Sequence, residues 1–404
     1  MNTTREPDPL TPLSMPMLRL YVLAFLFFAA NSALTVILPL RSEAEGMNQT
    51  EIGLMMGGYM FTCMLLRPFA AQLLSRYGPL RVMQGLLLLH AVTLCLFLAA
   101  NPAGYLWLRA LQGVATAFFS MTMQAGIVEK LADKQRGQGL SMYTLFTMLP
   151  SLAVPALALH IWDSSLPYAI LLLALAVLPL LAGYTARLPK AVEAGQAYSA
   201  KELLLAVRRV GHSTPLLVCS TVMLAASCVF GASATFAPLY MVSSGTHSAG
   251  LYLTIQGLVV ISCRFVLRKR IPSDGSWHPR LIAALLGSAA VGMLLLALQA
   301  SLGATVYLSA VFSGFAVALL YPTLTTYLSF VLPSHTRYVL MGIFMSSYDL
   351  GFSLGSLAMG PVVQFSSYPA MFTVCTLLSA GAAVLVIASR RRMGEPIADS
   401  TATS

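Results

Sequence analysis

The chain of 404 residues is 57% apolar and only 9% charged, with 24 basic and 14 acidic side chains giving a net charge of +10. A soluble domain carries about a quarter of its residues as Asp, Glu, Lys or Arg, so this charge set cannot clothe a water-soluble protein, and a cytosolic enzyme is excluded. At about 20 apolar residues per membrane crossing the chain has room for about a dozen spans.

In chain order, residues 1–16 are polar and proline-rich and read as a short cytoplasmic tail. The apolar run 17–40 is too long for a signal-peptide core and gives the first span. Further spans are predicted at 50–73, 80–100, 104–128, 138–161 and 165–186, and then at 214–240, 248–267, 279–299, 302–330, 337–360 and 367–389. The expected domains are therefore an N-terminal six-helix bundle (17–186), a basic cytoplasmic linker (187–213), a C-terminal six-helix bundle (214–389) and a cytoplasmic tail (390–404). The six cysteines lie inside apolar runs without CxxC or Cys/His spacing, so they read as packing residues; neither disulfides nor a metal site is indicated.

Charge orients these spans. With the N-terminus inside, 20 of the 24 basic residues fall in cytoplasmic segments, Arg41 alone lies outside, and Arg67, Arg109 and Arg264 lie within spans. That asymmetry places both termini in the cytoplasm of a multi-pass cell-membrane protein. The basic surplus is thus loop charge, and no nucleic-acid partner is expected.

The halves repeat. At an offset of 197, Gly53, Leu54, Arg67 and Gly78 match Gly250, Leu251, Arg264 and Gly275. At an offset of 201, Gly113, Ala115, Ala117, Thr122, Leu131 and Arg136 match Gly314, Ala316, Ala318, Thr323, Leu332 and Arg337. Two six-helix halves of equal orientation imply parallel repeats about an axis along the membrane normal.

Over almost its whole length the chain resembles the major facilitator superfamily. The run from Ala71 to Arg81, with Arg76 and Gly78, resembles the family's signature loop after the second helix, although Ala71 and Ser75 stand where that signature has a glycine and an acid. Arg109-Ala110-Leu111-Gln112-Gly113 resembles the fourth-helix signature of proton-coupled antiporters; the fifth span, with Pro150 and Pro155, lacks the antiporter glycines. Tyr348-Asp349-Leu350-Gly351-Phe352-Ser353-Leu354-Gly355 is similar to an eleventh-helix pattern of the group. More narrowly, Leu26–Ser32, Leu66–Ala70 and Gln112–Met121 resemble exporters of staphylopine-type metallophores, short polyamino-carboxylates that scavenge transition metals. The resemblance implies an all-α fold of two six-helix bundles around a central cavity lined by the first, fourth, seventh and tenth helices. It also implies proton-coupled export by alternating access.

Ionisable groups within a span cost about 2.5–3.5 kcal/mol each and usually mark a pathway. Four are deep here: Arg67, Arg109, Arg264 and Asp349. Arg109 begins a polar stripe with Gln112, Thr116 and Ser120 on one helical face. Its guanidinium suits bidentate capture of a substrate carboxylate, the other possibility being an arginine locked to neighbouring carbonyls. Asn31 and Thr35, one turn apart in the first span, join it as expected substrate-binding groups; Tyr143, Gln256, Ser313 and Tyr321 are weaker candidates. Asp349, the one acid deep in any span, is the candidate proton carrier, with a purely structural hydrogen bond as the even alternative. Arg67 and Arg264 occur symmetrically, which favours scaffolding or gating over direct substrate contact; Arg76 and Tyr348 are grouped with them.

No GK[ST] phosphate loop indicates ATP as the energy source, no cofactor is implied, and paired carboxylates or clustered histidines for a membrane enzyme are missing. Three deep cations against one acid favour a small anionic or zwitterionic substrate over cationic drugs. The expected function is a monomeric, proton-coupled exporter of a carboxylate-rich metallophore in the lipid bilayer. A multidrug or general amphiphile efflux antiporter is the alternative.

Overall fold

The computed structural model describes residues 11–131, 133–163, 168–186, 213–245, 247–267, 272, 275–332 and 337–393. Nearly all of the expected 187–213 linker and most of both expected tails lie outside these residues. The described chain is helical, and each expected span coincides with a helix or with a helix and a short continuation.

The first half contains α1 (Met15–Ala44), α2 (Gln49–Leu66), α3 (Ala70–Tyr77), α4 (Pro79–Ala99), α5 (Pro102–Lys130), α6 (Asp133–Met148), α7 (Pro150–Asp163) and α8 (Tyr168–Thr185). The second contains α9 (Thr214–Ser244), α10 (Ala249–Val266), α11 (Pro279–Ala297), α12 (Gln299–Leu302), α13 (Leu308–Val331), α14 (Arg337–Phe365), α15 (Tyr368–Ala388) and α16 (Arg390–Met393). Prolines account for two places where an expected span is divided. The residue before a proline is disfavoured in the α region, and the ring clashes with the preceding turn. Accordingly α2 stops at Leu66, ahead of a 3-10 turn over Arg67–Phe69, and Leu149 separates α6 from α7. Gly78, at φ +74°, takes the left-handed turn that joins α3 to α4.

Nine helical segments among the described residues are long and apolar enough to cross a membrane. The three expected spans outside this group are those of α2, α5 and α14. Two of them carry buried charge, Arg109 on α5 and Asp349 on α14. The polar content that lowers their hydropathy is thus concentrated on interior faces.

The chain divides into two compact units: residues 1–47 with 58–197, and residues 48–57 with 198–404. In the first unit α1 packs on α6, α7 and α8, while α4 packs on α5 and α8. Its core includes a stacked aromatic column: the Phe119 and Phe27 rings are 3.8 Å apart, and Phe27 and the buried His90 imidazole 4.3 Å. In the second unit α9 packs chiefly on α14, and α11 on α13 and α15. Ser248 and Ser367 cap α10 and α15 by accepting the backbone N–H groups of Leu251 (3.2 Å) and Ala370 (3.3 Å).

Glycine and serine explain how close α9 and α14 come. A Cβ on Gly351 would strike Leu224 O and Ser227 Oγ, and one on Gly355 would strike Cys228 O and stand 2.9 Å from Ala232 N. Hydroxyls supply the cross-links. Thr235 Oγ1 and Ser356 Oγ share a hydrogen bond of 2.8 Å, and Ser356 Oγ donates to Gly231 O at 3.2 Å. The first turns of α2, which belong to the same unit, meet α14 likewise, with Ser353 Oγ donating to Gly57 O at 2.8 Å. Small residues that let backbones touch, tied by hydroxyls, are the usual means of helix association in lipid.

Candidate functional site

The first unit brings the polar stripe of α5 against α1 and α2. Arg109, Gln112 and Thr116 recur at i, i+3 and i+7 and are all buried, Arg109 with 1% of its surface exposed. Gly113 lies between them, and a Cβ there would meet Tyr59 O and stand 3.0 Å from Thr62 Cβ. The missing side chain lets α2 lie directly on α5, which sets the Tyr59 ring across Arg109. The guanidinium carbon is 4.7 Å from the ring centroid, a cation–π arrangement in a desolvated setting. Tyr59 Oη completes the link by donating to Thr116 Oγ1 at 3.2 Å.

From the edge of the guanidinium, Arg109 Nη1 donates to Gln112 Oε1 at 2.8 Å and to Asn31 Oδ1 at 3.2 Å. Asn31 is half-buried on α1, where Thr35 Oγ1 donates to its backbone carbonyl at 2.7 Å. With its oxygen so engaged, the Gln112 amide holds Nε2 buried and without a hydrogen-bond partner among the described residues. A buried donor left in this way costs about 1–3 kcal/mol. Beside a guanidinium it forms a donor set that an incoming carboxylate would complete. All five expected substrate-binding residues, Arg109, Gln112, Thr116, Asn31 and Thr35, therefore lie on the two helices α1 and α5 in one contiguous network. Tyr59 is the member that sequence reasoning missed. Its distance along the chain from Arg109 carries no periodic signal, and the clue was Gly113, read only as part of a signature.

The other expected residues lie apart from this network. In the second unit, Asp349 is 1% exposed on α14, beside the glycine-lined seam with α9. Arg264 is half-buried on α10, and in the same unit the rings of Tyr348 and Tyr321 meet edge-on at 5.7 Å. Tyr348 also contacts Phe352, at 6.2 Å between ring centroids. In the first unit, Arg67 is half-buried at the 3-10 turn after α2, whereas Arg76 is exposed near the end of α3, 5.4 Å from the Tyr77 ring centroid. Of the weaker candidates, Gln256 Nε2 donates to the buried Ser313 Oγ at 3.0 Å and so ties α10 to α13.

Residues 20–287 and 277–403 match the sequence description of the Major Facilitator Superfamily. The chain belongs to this superfamily. It is a multi-pass membrane transporter rather than an enzyme, and the helical architecture and superfamily membership agree on the all-α fold expected from the sequence. Among curated relatives, the staphylopine export protein of Staphylococcus aureus is 39% identical over 372 residues, spanning 91% of this chain and 94% of that protein. Solved superfamily structures share the fold at lower identity. A point-mutant form of the nucleoside transporter NupG aligns with a TM-score of 0.73 at 14% identity, covering 94% of this chain and 100% of that one. The D-xylose-proton symporter aligns at 0.70 and 17%, covering 94% and 98%.

Proposed function

We propose that this superfamily member is an exporter of a small, carboxylate-rich metallophore of the staphylopine type, driven by a proton gradient and working by alternating access in the cell membrane. The observation that carries the substrate class is the buried Arg109 with its neutral neighbours. Nη1 rests on two amide oxygens, the Tyr59 ring covers one face, and the adjacent Gln112 Nε2 donor awaits an acceptor. Neutral amide oxygens can orient a guanidinium while leaving its positive charge for a ligand, and in a site of low dielectric that charge favours a carboxylate over a cation. The relative from Staphylococcus aureus supports both the direction of transport and the metallophore class.

In this reading Arg109, Gln112, Thr116, Asn31 and Thr35 bind substrate, and Asp349 carries the coupled proton as access alternates. Arg67, Arg264, Arg76 and Tyr348 maintain or gate the helix ends. Both termini face the cytoplasm, and the monomer is the working unit.

The decisive experiment is metabolite profiling of a strain lacking this protein. Intracellular accumulation of an amino-polycarboxylate metallophore, with a matching loss from the medium, is expected, and addition of an uncoupler to the parent strain should produce the same shift. Unchanged metallophore levels together with heightened sensitivity to amphiphilic cations would sink this reading and favour the drug exporter.

A further inference from the structure

We infer that Glu45, with Arg41 and Tyr105, is a positioning group for the Arg109 site. It clamps α1 to α5 at the end that the proposed topology places outside, and so holds Asn31 on the guanidinium. The inference rests on the reading of Arg109 as a substrate site and adds to it residues that act through Asn31 rather than on the ligand.

The clamp is a closed circuit within the first unit. Glu45, the C-cap of α1, uses its two carboxylate oxygens in different directions. Oε1 accepts from Arg41 Nε at 2.7 Å, and Oε2 accepts from Tyr105 Oη of α5 at 2.8 Å. The Arg41 guanidinium carbon lies 4.6 Å from the centroid of the Tyr168 ring, at the start of α8. Tyr168 Oη donates to Phe97 O near the end of α4 at 3.3 Å, and the Phe97 ring returns to Tyr105 at 6.1 Å between centroids. The circuit thereby joins the ends of α1, α4, α5 and α8.

Stability does not account for the charged pair. The Arg41 and Glu45 side chains are 23% and 28% exposed and one helical turn apart, and pairs of this kind contribute little. Arg41 is also the basic residue that the charge asymmetry leaves outside, against the positive-inside tendency. What the pair supplies is direction. A carboxylate held at Oε1 by Arg41 keeps Oε2 turned to Tyr105, a fully buried residue.

Tyr105 precedes Arg109 by four residues, so the two share a face of α5 about 6 Å apart along its axis. Further along the same helix pair, α1 and α5 meet again where the Phe27 ring stacks on Phe119 at 3.8 Å. The 3.2 Å bond from Arg109 Nη1 to Asn31 Oδ1 lies between these two ties in the order of residues on both helices. One hydrogen bond to an amide has little net energy with which to hold two helices together, so its length follows the spacing that the clamp and the stack set. Opening the clamp frees α1 to swing about the aromatic stack, and the Asn31 contact is lost first.

The test is calorimetric binding of staphylopine to the full-length protein in lipid nanodiscs, in the parent and in an Asn31→Ala background. Tyr105→Phe and Glu45→Gln should each weaken binding by about three- to tenfold in the parent, part of the worth of the Asn31 bond. The double variant should be no worse than the worse single one, as for two members of one link. Once the Asn31 amide is gone there is nothing left to position, so the same changes should cost less than about twofold in the Asn31→Ala background. A general loosening of the bundle would lower affinity equally in both backgrounds. In proteoliposomes the loss should appear as a raised KM with kcat unchanged. If either variant fails to fold, Arg41→Gln takes its place in the same two comparisons. Parent-like binding by these variants, or an undiminished loss in the Asn31→Ala background, overturns the inference and leaves the Arg109 site standing; so does parent-like binding by Asn31→Ala itself where Arg109→Lys binds weakly. If Arg109→Lys also binds as the parent does, the reading of the site fails and the positioning role falls with it.

Discussion

Replacing Arg109 with lysine separates the geometry of the site from its charge. Lysine keeps the positive charge but offers a compact ammonium on a flexible stem instead of a planar fork. In this site Nη1 holds Gln112 Oε1 and Asn31 Oδ1 while the flat face stacks on Tyr59, and in the proposed reading the guanidinium edge also meets the ligand. An ammonium that keeps the two amide oxygens has one donor left for a carboxylate, so a bidentate contact becomes a single one. Loss of one charge-assisted hydrogen bond is worth about 1.5–3 kcal/mol, or roughly 10- to 150-fold in affinity. The assay is calorimetric binding of a staphylopine-type metallophore to the purified protein in nanodiscs, run beside export from cells carrying the same variant. Thermal stability should change little, because the charge and the amide contacts are retained. Binding by Arg109→Lys within twofold of the parent would refute the argument, since charge alone would then suffice.

Five further substitutions, at four positions, probe other contacts. Tyr59→Phe loses only the bond to Thr116 and should weaken the same binding by less than about tenfold, the range of a neutral hydrogen bond worth about 1 kcal/mol; Tyr59→Leu also removes a desolvated cation–π contact of about 2 kcal/mol and should be clearly worse in the same titration. Gly355→Ala forces α14 away from Cys228 O and Ala232 N and should lower the melting temperature in detergent, overpacking of this kind costing about 1–3 kcal/mol. Gly381→Ala, where a Cβ meets nothing within 4 Å, should raise it or leave it unchanged, because alanine is the better helix former by about 1 kcal/mol. In proteoliposomes, Asp349→Asn should retain substrate binding and downhill exchange but lose uphill transport driven by a pH gradient; full gradient-driven transport by this variant would remove Asp349 from the coupling step.

The fold was readable because lipid imposes a length rule that sequence can be counted against. α1, α4, α8 and α15 begin and end within a few residues of their expected spans, since apolar runs bounded by polar turns leave few other places to cross. The differences have local causes. The 3-10 turn at Arg67 and the break at Leu149 follow from Pro68 and Pro150, residues that hydropathy averages over a window and so does not register. The close approach of α14 to α9 was legible in part. Gly351 and Gly355 at four-residue spacing announced a tight helix contact, but not that the partner would be the stretch from Leu224 to Ala232. Nor did they announce that α14 would also receive Gly57 of α2 through Ser353. Partner choice depends on tertiary topology, on which local spacing is silent.

The Arg109 network shows where such reading stops. Periodicity on one helix placed Arg109, Gln112 and Thr116 on a common face, and it placed Thr35 one turn from Asn31 on another. What joined the faces is the crossing of α2 over Gly113, because only that crossing puts an aromatic ring on the guanidinium. The crossing joins two helices that lie outside the apolar group of spans, α5 with its buried polar stripe and α2 with Gln49, Thr50 and Glu51 in its first turn. A span that looks too polar for the membrane is the one to search for a site, as α5 shows with Arg109, Gln112 and Thr116 buried on one face.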